Sequence, residues 1–240
     1  MRFDNENVIL PAPIPAPNYL YFKALSNGAT MQFKLGSSSN TSTSTGPTDF
    51  KIARNSNKIK DFYSPAKSTI NFTLNEGEII YMWGKQEAGT FFDNGNFSPM
   101  VHTTAGTWEI GGDLSSLYDF STDYSRQRFC CIFNDCRGSI YADKLMIHPS
   151  SYSNGSYKNL FRYVNKLLSA PTLLEGTYHS RSFSTWMWGQ SSNSFTFTTY
   201  ATGITGGTAF SAMFNDGVSP SAVQITNLGT LPNTAYNLPA

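Results

Sequence analysis

The sequence predicts a mainly β fold with a minor α+β contribution: an N-terminal β-sandwich-like domain followed by a short solenoid of degenerate repeats. Three observations predict it. Across 240 residues, aromatic side chains reach 15% and charged ones 14%, against roughly 25% charged in an average soluble domain. A chain so rich in rings, hydroxyls and amides favours strands. The front half holds short alternating segments separated by turns, the signature of a sandwich. The back half repeats one motif four times at nearly constant spacing.

Residues 1–17 read as an extended arm. Pro11, Pro13, Pro15 and Pro17 place four prolines in seven residues, which forbids a helix and most sheet pairing. Val8, Ile9, Leu10 and Ile14 are too apolar for a solvated tail, so the arm is expected to dock in a groove on a partner. Residues 18–112 read as the β domain. Tyr19–Ala24 and Thr30–Leu35 are strands about the turn Ser26–Gly28, and residues 36–46 lack any apolar side chain and read as an exposed loop. Ile70–Leu74 and Ile79–Trp83 flank Asn75–Glu78 and read as a hairpin. Residues 113–126 form a connector, with Leu114, Leu117, Tyr118 and Phe120 available for packing.

Residues 127–240 hold the array. Its units open with an aromatic residue followed three and four positions later by bulky apolar ones: Phe129 to Phe133, Tyr157 to Phe161, Phe183 to Met187 and Phe210 to Phe214, with starts 28, 26 and 27 residues apart. The i, i+3, i+4 spacing gathers these side chains on one face of a short helix or 3₁₀ turn. Phe129, Phe133, Tyr157, Phe161, Phe183, Trp186, Phe210 and Phe214 are therefore the expected repeat core. After each unit's polar turn comes a strand-like stretch: Lys144–Ile147, Thr172–Leu174, Ser194–Phe197 and Ala222–Ile225. Such a period, of about 27 residues, signals stacked supersecondary units and carries little chemistry of its own.

Charge and motif searches exclude several functions. Net charge is +1 with no basic block; Lys51, Arg54, Lys58 and Lys60 read as a solvated face, and no nucleic-acid partner is expected. No stretch approaches the roughly 18 apolar residues of a membrane span, so no membrane partner is expected. The start carries Asp4 and Glu6 where a secretory signal is basic, and Pro11 interrupts its apolar run; the expectation is a mature product or a chain not exported by the general route. Cys130, Cys131 and Cys136 form no C-x-x-C and are expected as buried free thiols, not a disulfide framework or zinc site. His102, His148 and His179 are far apart, Gly203–Gly207 reads as a loop, Glu76 and Glu78 sit on a turn, and Asp113, Asp119 and Asp123 fit no calcium-loop spacing. Neither an enzyme nor a cofactor nor a metal is expected. Among the tryptophans, Trp83, Trp108, Trp186 and Trp188, stacking on sugar faces is a natural use. Trp186 is assigned to the repeat core; Trp188, offset by two, and Trp108 are the candidate glycan-stacking residues.

The repeats resemble a known family. Tyr157-Lys-Asn-Leu-Phe161 followed by Lys166-Leu-Leu-Ser-Ala-Pro-Thr-Leu173 is similar to the BspA-type leucine-rich repeat, as is Phe129 to Cys136, with Cys136 at that family's turn cysteine. The third and fourth units depart, with Gly189 and Gly217 in the turn and no Ala-Pro pair. The stretch Thr69–Tyr81 and then Gly111–Leu117 resembles the β domain that precedes such repeats in proteins of gut Bacteroidales and their phages, crAss-like phages included. The resemblance spans roughly residues 18–230. It implies a leucine-rich-repeat protein of a phage particle, such as a head fibre, capsid decoration or tail-associated protein, assembled in the host cytoplasm and located in the virion. Its implied partners are other virion proteins of the capsid or the portal and tail region, reached through the arm, a host-surface glycan or protein, and further copies of itself in a homo-oligomer. The alternative is a carbohydrate- or host-surface-binding adhesin module of a Bacteroidales bacterium.

Overall fold

The computed structural model describes residues 19–35, 48–54, 58–64, 68–86, 100–118, 129, 132–149, 157, 160–164, 166–179, 182–183, 195–205, 223–232 and 235. The arm, the 36–46 loop, and Phe120, Cys130, Cys131, Trp186, Trp188, Phe210 and Phe214 lie outside these residues.

The fold is mainly β, as composition predicts. The front comprises β1 (Leu20–Ala24), β2 (Ala29–Leu35), β3 (Thr48–Arg54), β4 (Lys58–Ser64), β5 (Ser68–Leu74), β6 (Ile79–Gln86), β7 (Met100–Ala105) and β8 (Thr107–Asp113). A 3₁₀ turn, Leu114–Tyr118, follows, and then β9 (Ser139–Ile147), β10 (Lys166–Ser169), β11 (Thr172–His179), β12 (Phe195–Thr205) and β13 (Val223–Asn227). The larger, ten-stranded sheet runs β10-β12-β11-β9-β8-β1-β6-β3-β4, with β13 beside β12; the smaller is β5-β2-β7.

Three tight turns carry the chain from one sheet to the other: β1 to β2, β5 to β6, and β7 to β8. The expected hairpin at Asn75–Glu78 is therefore an arch. β5 pairs with β2, with Leu74 opposite Ala29, while β6 pairs with β1, with Ile79 opposite Lys23. The arches stack edge to edge and satisfy one another's backbone. Gly77 N–H donates to Ala24 O at 2.9 Å, Leu25 N–H to Thr107 O at 2.8 Å, and Glu76 N–H to the Asn27 side chain at 3.0 Å. Those partners lie in neighbouring arches, which is why the segment turns outward to them rather than back on β5.

Alternation places the core. Leu20, Phe22 and Ala24 of β1, Ile80 and Met82 of β6, and Trp108 and Ile110 of β8 point inward and are buried, with Met31 and Phe33 of β2 and Val101 of β7 on the smaller sheet's side. Leu114 and Leu117 of the expected connector are buried in the same core.

The larger sheet does not stop at the end of the front half. β8 pairs antiparallel with β1 on one side and parallel with β9 on the other, with Trp108 opposite Ile140. From β9 onward every described pairing is parallel, between residues 25 to 28 positions apart: Leu167 with Ile140, Leu173 with Ile147, His179 with Thr205, Ser169 with Thr196 and Phe195 with Val223. All four strand stretches expected after the turns fall within or largely overlap β9, β11, β12 and β13. Pro171, which has no N–H to donate, separates β10 from β11.

The aromatic positions stack across the same distance. Phe129 lies on Tyr157 at 5.5 Å with rings 1° from parallel, Tyr157 on Phe183 at 5.3 Å and 13°, and Phe133 on Phe161 at 5.0 Å and 25°. These five, with Ile132 and Leu160, are buried. The segments carrying them are turns: Leu160 N–H donates to Tyr157 O at 3.2 Å, a 3₁₀-type bond. Each turn also bonds to the next, Phe133 N–H to Leu160 O at 3.0 Å and Tyr157 N–H to Ser182 O at 2.9 Å, and Val101 N–H of β7 bonds Ile132 O at 2.8 Å. Asp135 and Tyr163, 28 positions apart, both take left-handed backbone, at φ 58° and 56°.

Candidate binding surface

The outward face of the larger sheet concentrates the rings and charges that the core does not use. Two cross-strand rows define it. One runs Tyr81, Tyr21, Gly111, Lys144; the other runs Ile79, Lys23, Glu109, Tyr141. Tyr21 and Tyr81 lie 6.2 Å apart, centroid to centroid, at 56°. One pleat along, Trp83 stacks on Tyr19 at 4.7 Å and 22°. Tyr141 is 40% exposed.

A polar network fixes the middle of this face. Tyr21 donates its hydroxyl to Glu109 Oε1 at 3.0 Å, and Lys144 Nζ donates to Glu109 Oε2 at 2.7 Å. Burial, then the bond to the Glu109 carboxylate and the charge behind it, push the Tyr21 phenol well above its ordinary range. The bond to Glu109 likewise raises the Lys144 ammonium, against the opposing desolvation. Glycine at 111 lets the Tyr21 ring lie against the backbone, since a Cβ there would push the end of that ring aside. The ring lies over the bare backbone, the aromatic cover that glycine in a sheet commonly receives. Ser169 from β10 accepts the Ala142 and Asp143 amides and donates to Asp143 Oδ1 at 2.6 Å, which holds the bulge in β9 beside Lys144.

A second polar cluster lies at the end of β8. Asp113 Oδ1 accepts from the Ser115 amide at 2.8 Å and its hydroxyl at 2.7 Å, and Oδ2 meets His148 Nε2 at 2.7 Å. Burial alone would raise the Asp113 carboxyl, but the His148 and Ser115 bonds outweigh it and hold it below the ordinary range. The His148 carbonyl accepts from Tyr157, tying the cluster to the aromatic stack. Ser115 bonds the carboxylate and not the imidazole, so the three side chains do not form a nucleophile–base pair. Gly112 is forced: it sits at φ 84°, and a Cβ would overlap the Tyr19 carbonyl.

Trp108 requires a correction. It is fully buried, with Nε1 donating to Ala105 O at 2.9 Å, so no ring face is open to a sugar. Its register partner Ile140 shows why, since both side chains fill the interior between the sheets. Trp188, the other candidate for stacking, and Val8, Ile9, Leu10 and Ile14 of the arm lie outside the described residues. Cys136 is a buried free thiol whose Sγ accepts from Thr103 N–H and donates to Val101 O; burial pushes it up to about 11. Glu78 pairs with Arg54 at 2.7 Å, and Glu76 lies on the arch. Among the described residues, no group of three His, Cys, Asp or Glu side chains is placed to hold a metal ion, and no helix is long and apolar enough to cross a membrane. The sequence reading missed Tyr21, Tyr81, Glu109, Tyr141 and Lys144. The signal was there: in each of these strands they occupy the positions between the buried ones.

No protein-family model, curated protein or solved structure matches this chain.

Proposed function

We propose that the chain is a non-enzymatic structural protein of a phage particle, of the kind found in phages of Bacteroidales: a head fibre, capsid decoration or tail-associated protein. In this reading the N-terminal arm, through Val8, Ile9, Leu10 and Ile14, anchors it to capsid or portal and tail proteins. The back half is a short BspA-like leucine-rich solenoid that presents a surface to the host. The observation that carries the reading is the aromatic ladder Phe129–Tyr157–Phe183 in register with parallel strands 25 to 28 residues apart. Stacked units of this kind extend a continuous surface suited to contact with a partner. The β7–β8 arch acts as the first rung, since it pairs in parallel with β9 while its other edge is closed by β1.

Mass spectrometry of purified particles tests the assignment. The chain is expected in stoichiometric amounts, and a form lacking residues 1–17 is expected to fold and fail to incorporate. Its absence from particles overturns the reading. A second reading, a glycan- or host-binding adhesin module of a bacterium, is favoured by the ring-lined outward face. It predicts the chain on the surface of uninfected cells, which fractionation and surface labelling detect.

A further inference from the structure

The face built from β6, β1, β8 and β9 combines features that suit one class of ligand. We propose that the band Trp83, Tyr81, Tyr21, Glu109, Tyr141 and Lys144 is a binding platform for a neutral saccharide; the inference rests on the reading of the chain as a surface-presenting protein and places the contact on the seam between its halves.

A pyranose ring has an apolar C–H face and a rim of hydroxyls. The C–H face packs on the electron-rich face of an aromatic ring, and the rim needs acceptors and donors at fixed positions. The seam supplies both. Tyr81 and Tyr21 stand on adjacent strands and Tyr141 two strands beyond Tyr21, a separation of about 10 Å at ordinary strand spacing. Between Tyr21 and Tyr141 stands Glu109 of β8, whose two oxygens are already oriented by Tyr21 and Lys144, while the Tyr21 ring itself covers Gly111. A carboxylate held in place loses little freedom when a ligand hydroxyl arrives, so the ordering cost of binding is low. Lys144, with its side chain 57% exposed, has donors to spare beyond the one it gives Glu109.

Charge selects among saccharides. Among the described side chains of these four strands, Lys23 and Lys144 stand against Glu109 and Asp143, a balance that gives little field to draw a phosphate or a nucleic-acid backbone. An acidic sugar would meet Glu109 and Asp143 directly. A neutral hexose or N-acetylhexosamine chain meets neither penalty.

The test is a printed array of neutral, sialylated and uronic-acid oligosaccharides probed with the full chain, followed by calorimetric titration of the strongest neutral binder. The expected result is binding to neutral glycans, weakened at least tenfold in Tyr141→Ala and in Glu109→Gln, with melting curves of both variants close to that of the parent. Tyr141 is exposed enough that its loss leaves the fold intact, and Glu109→Gln keeps the shape while removing the ion pair. No binding to neutral glycans, binding confined to acidic ones, or neutral binding that both folded variants leave unchanged overturns the platform. The particle assay separates the two ideas. A chain found in particles but blind to neutral glycans sinks the platform alone, and one that binds through Tyr141 but is absent from particles sinks the virion assignment alone.

Discussion

In the front half, β1, β3, β4 and β6 pair antiparallel, and three arches close the space between two sheets. In the back half, β9 to β13 pair in parallel, and each turn hands backbone bonds to the turn 25 to 27 residues along. The internal latches differ in the same sense. Trp108 bonds Ala105, three residues away in its own arch, whereas Tyr178 bonds Ile147 O at 2.9 Å on the strand before and Leu174 O at 3.0 Å on its own. The front closes on itself through its three stacked arches, whereas each back-half turn and strand depends on those on either side of it. The parallel strands thus depend on their neighbours for backbone partners, and that dependence begins at β8. The regions are thus unlike in pairing yet share one buried core, in which Phe22 of β1 meets Phe133 edge-on at 6.0 Å.

The largest expected effect comes from cutting that shared core. Phe133 is fully buried between Phe22 and Phe161, so Phe133→Ala should cost about 3–5 kcal/mol, a large part of the 5–15 kcal/mol typical of a domain. Denaturant unfolding gives the magnitude, and amide exchange shows where it is felt. Protection should fall together in β1 and in β9. If β1 keeps its protection while β9 loses it, the halves are separate folding units and the back half does not lean on the front.

The Asp113 cluster is the next test of the seam. A carboxyl whose folded value lies below its unfolded one stabilises the protein above about pH 3.9, and that contribution is lost as pH falls through the folded value. Asp113→Asn should therefore lower stability by about 1.5–3 kcal/mol near neutrality and flatten the acid limb of a Tm-against-pH profile. An unchanged acid limb would mean that the bonds to His148 and Ser115 add nothing to folding.

How much of this was legible in the sequence varies with the range of the interaction. The period of the back half was legible because Phe129, Tyr157 and Phe183 must meet their own kind, and stacking fixes spacing and residue type together. The strands were legible from alternation. The arch at Asn75–Glu78 was not, because a turn between two alternating strands looks the same whether they pair with each other or with strands of opposite sheets. What decides is Ala24 and Asn27, some 50 residues upstream. Trp108 was misjudged for a different reason. Thr107-Trp-Glu-Ile110 alternates as plainly as any strand here and puts Trp108 with Ile110 inside, but a tryptophan draws attention as a ligand platform by its type alone. The ring face lies with the tyrosines of the other phase, and recognising it required knowing which strands are adjacent.

The Tyr178 latch separates register from packing in the back half. Tyr178→Phe keeps the ring against Phe183, 5.4 Å away, and removes the hydroxyl. A loss of about 1 kcal/mol is expected, seen in the unfolding midpoint, with faster amide exchange in β11 and β9 and none in β3. Equal loosening of the front would mean that the latch is not particular to the parallel region.

The smallest effect should come from the ion pair across the seam. Lys144 lies on β9 and Glu109 on β8, so the pair bridges the last antiparallel-paired strand of the front and the first strand of the back. Its geometry is good at 2.7 Å, but the lysine is 57% exposed, and solvent screening holds such pairs to under about 1 kcal/mol. Lys144→Ala should shift the unfolding midpoint by no more than that, and the difference from the parent should vanish in 1 M salt, where the screening length is about 3 Å. A larger loss that high salt abolishes would mean that charge holds the seam. The expected small and salt-sensitive loss assigns the joining of the two halves to Phe22, Phe133 and the backbone pairing of β8 with β9, and leaves Lys144 free to spend its remaining donors on whatever rests on that face.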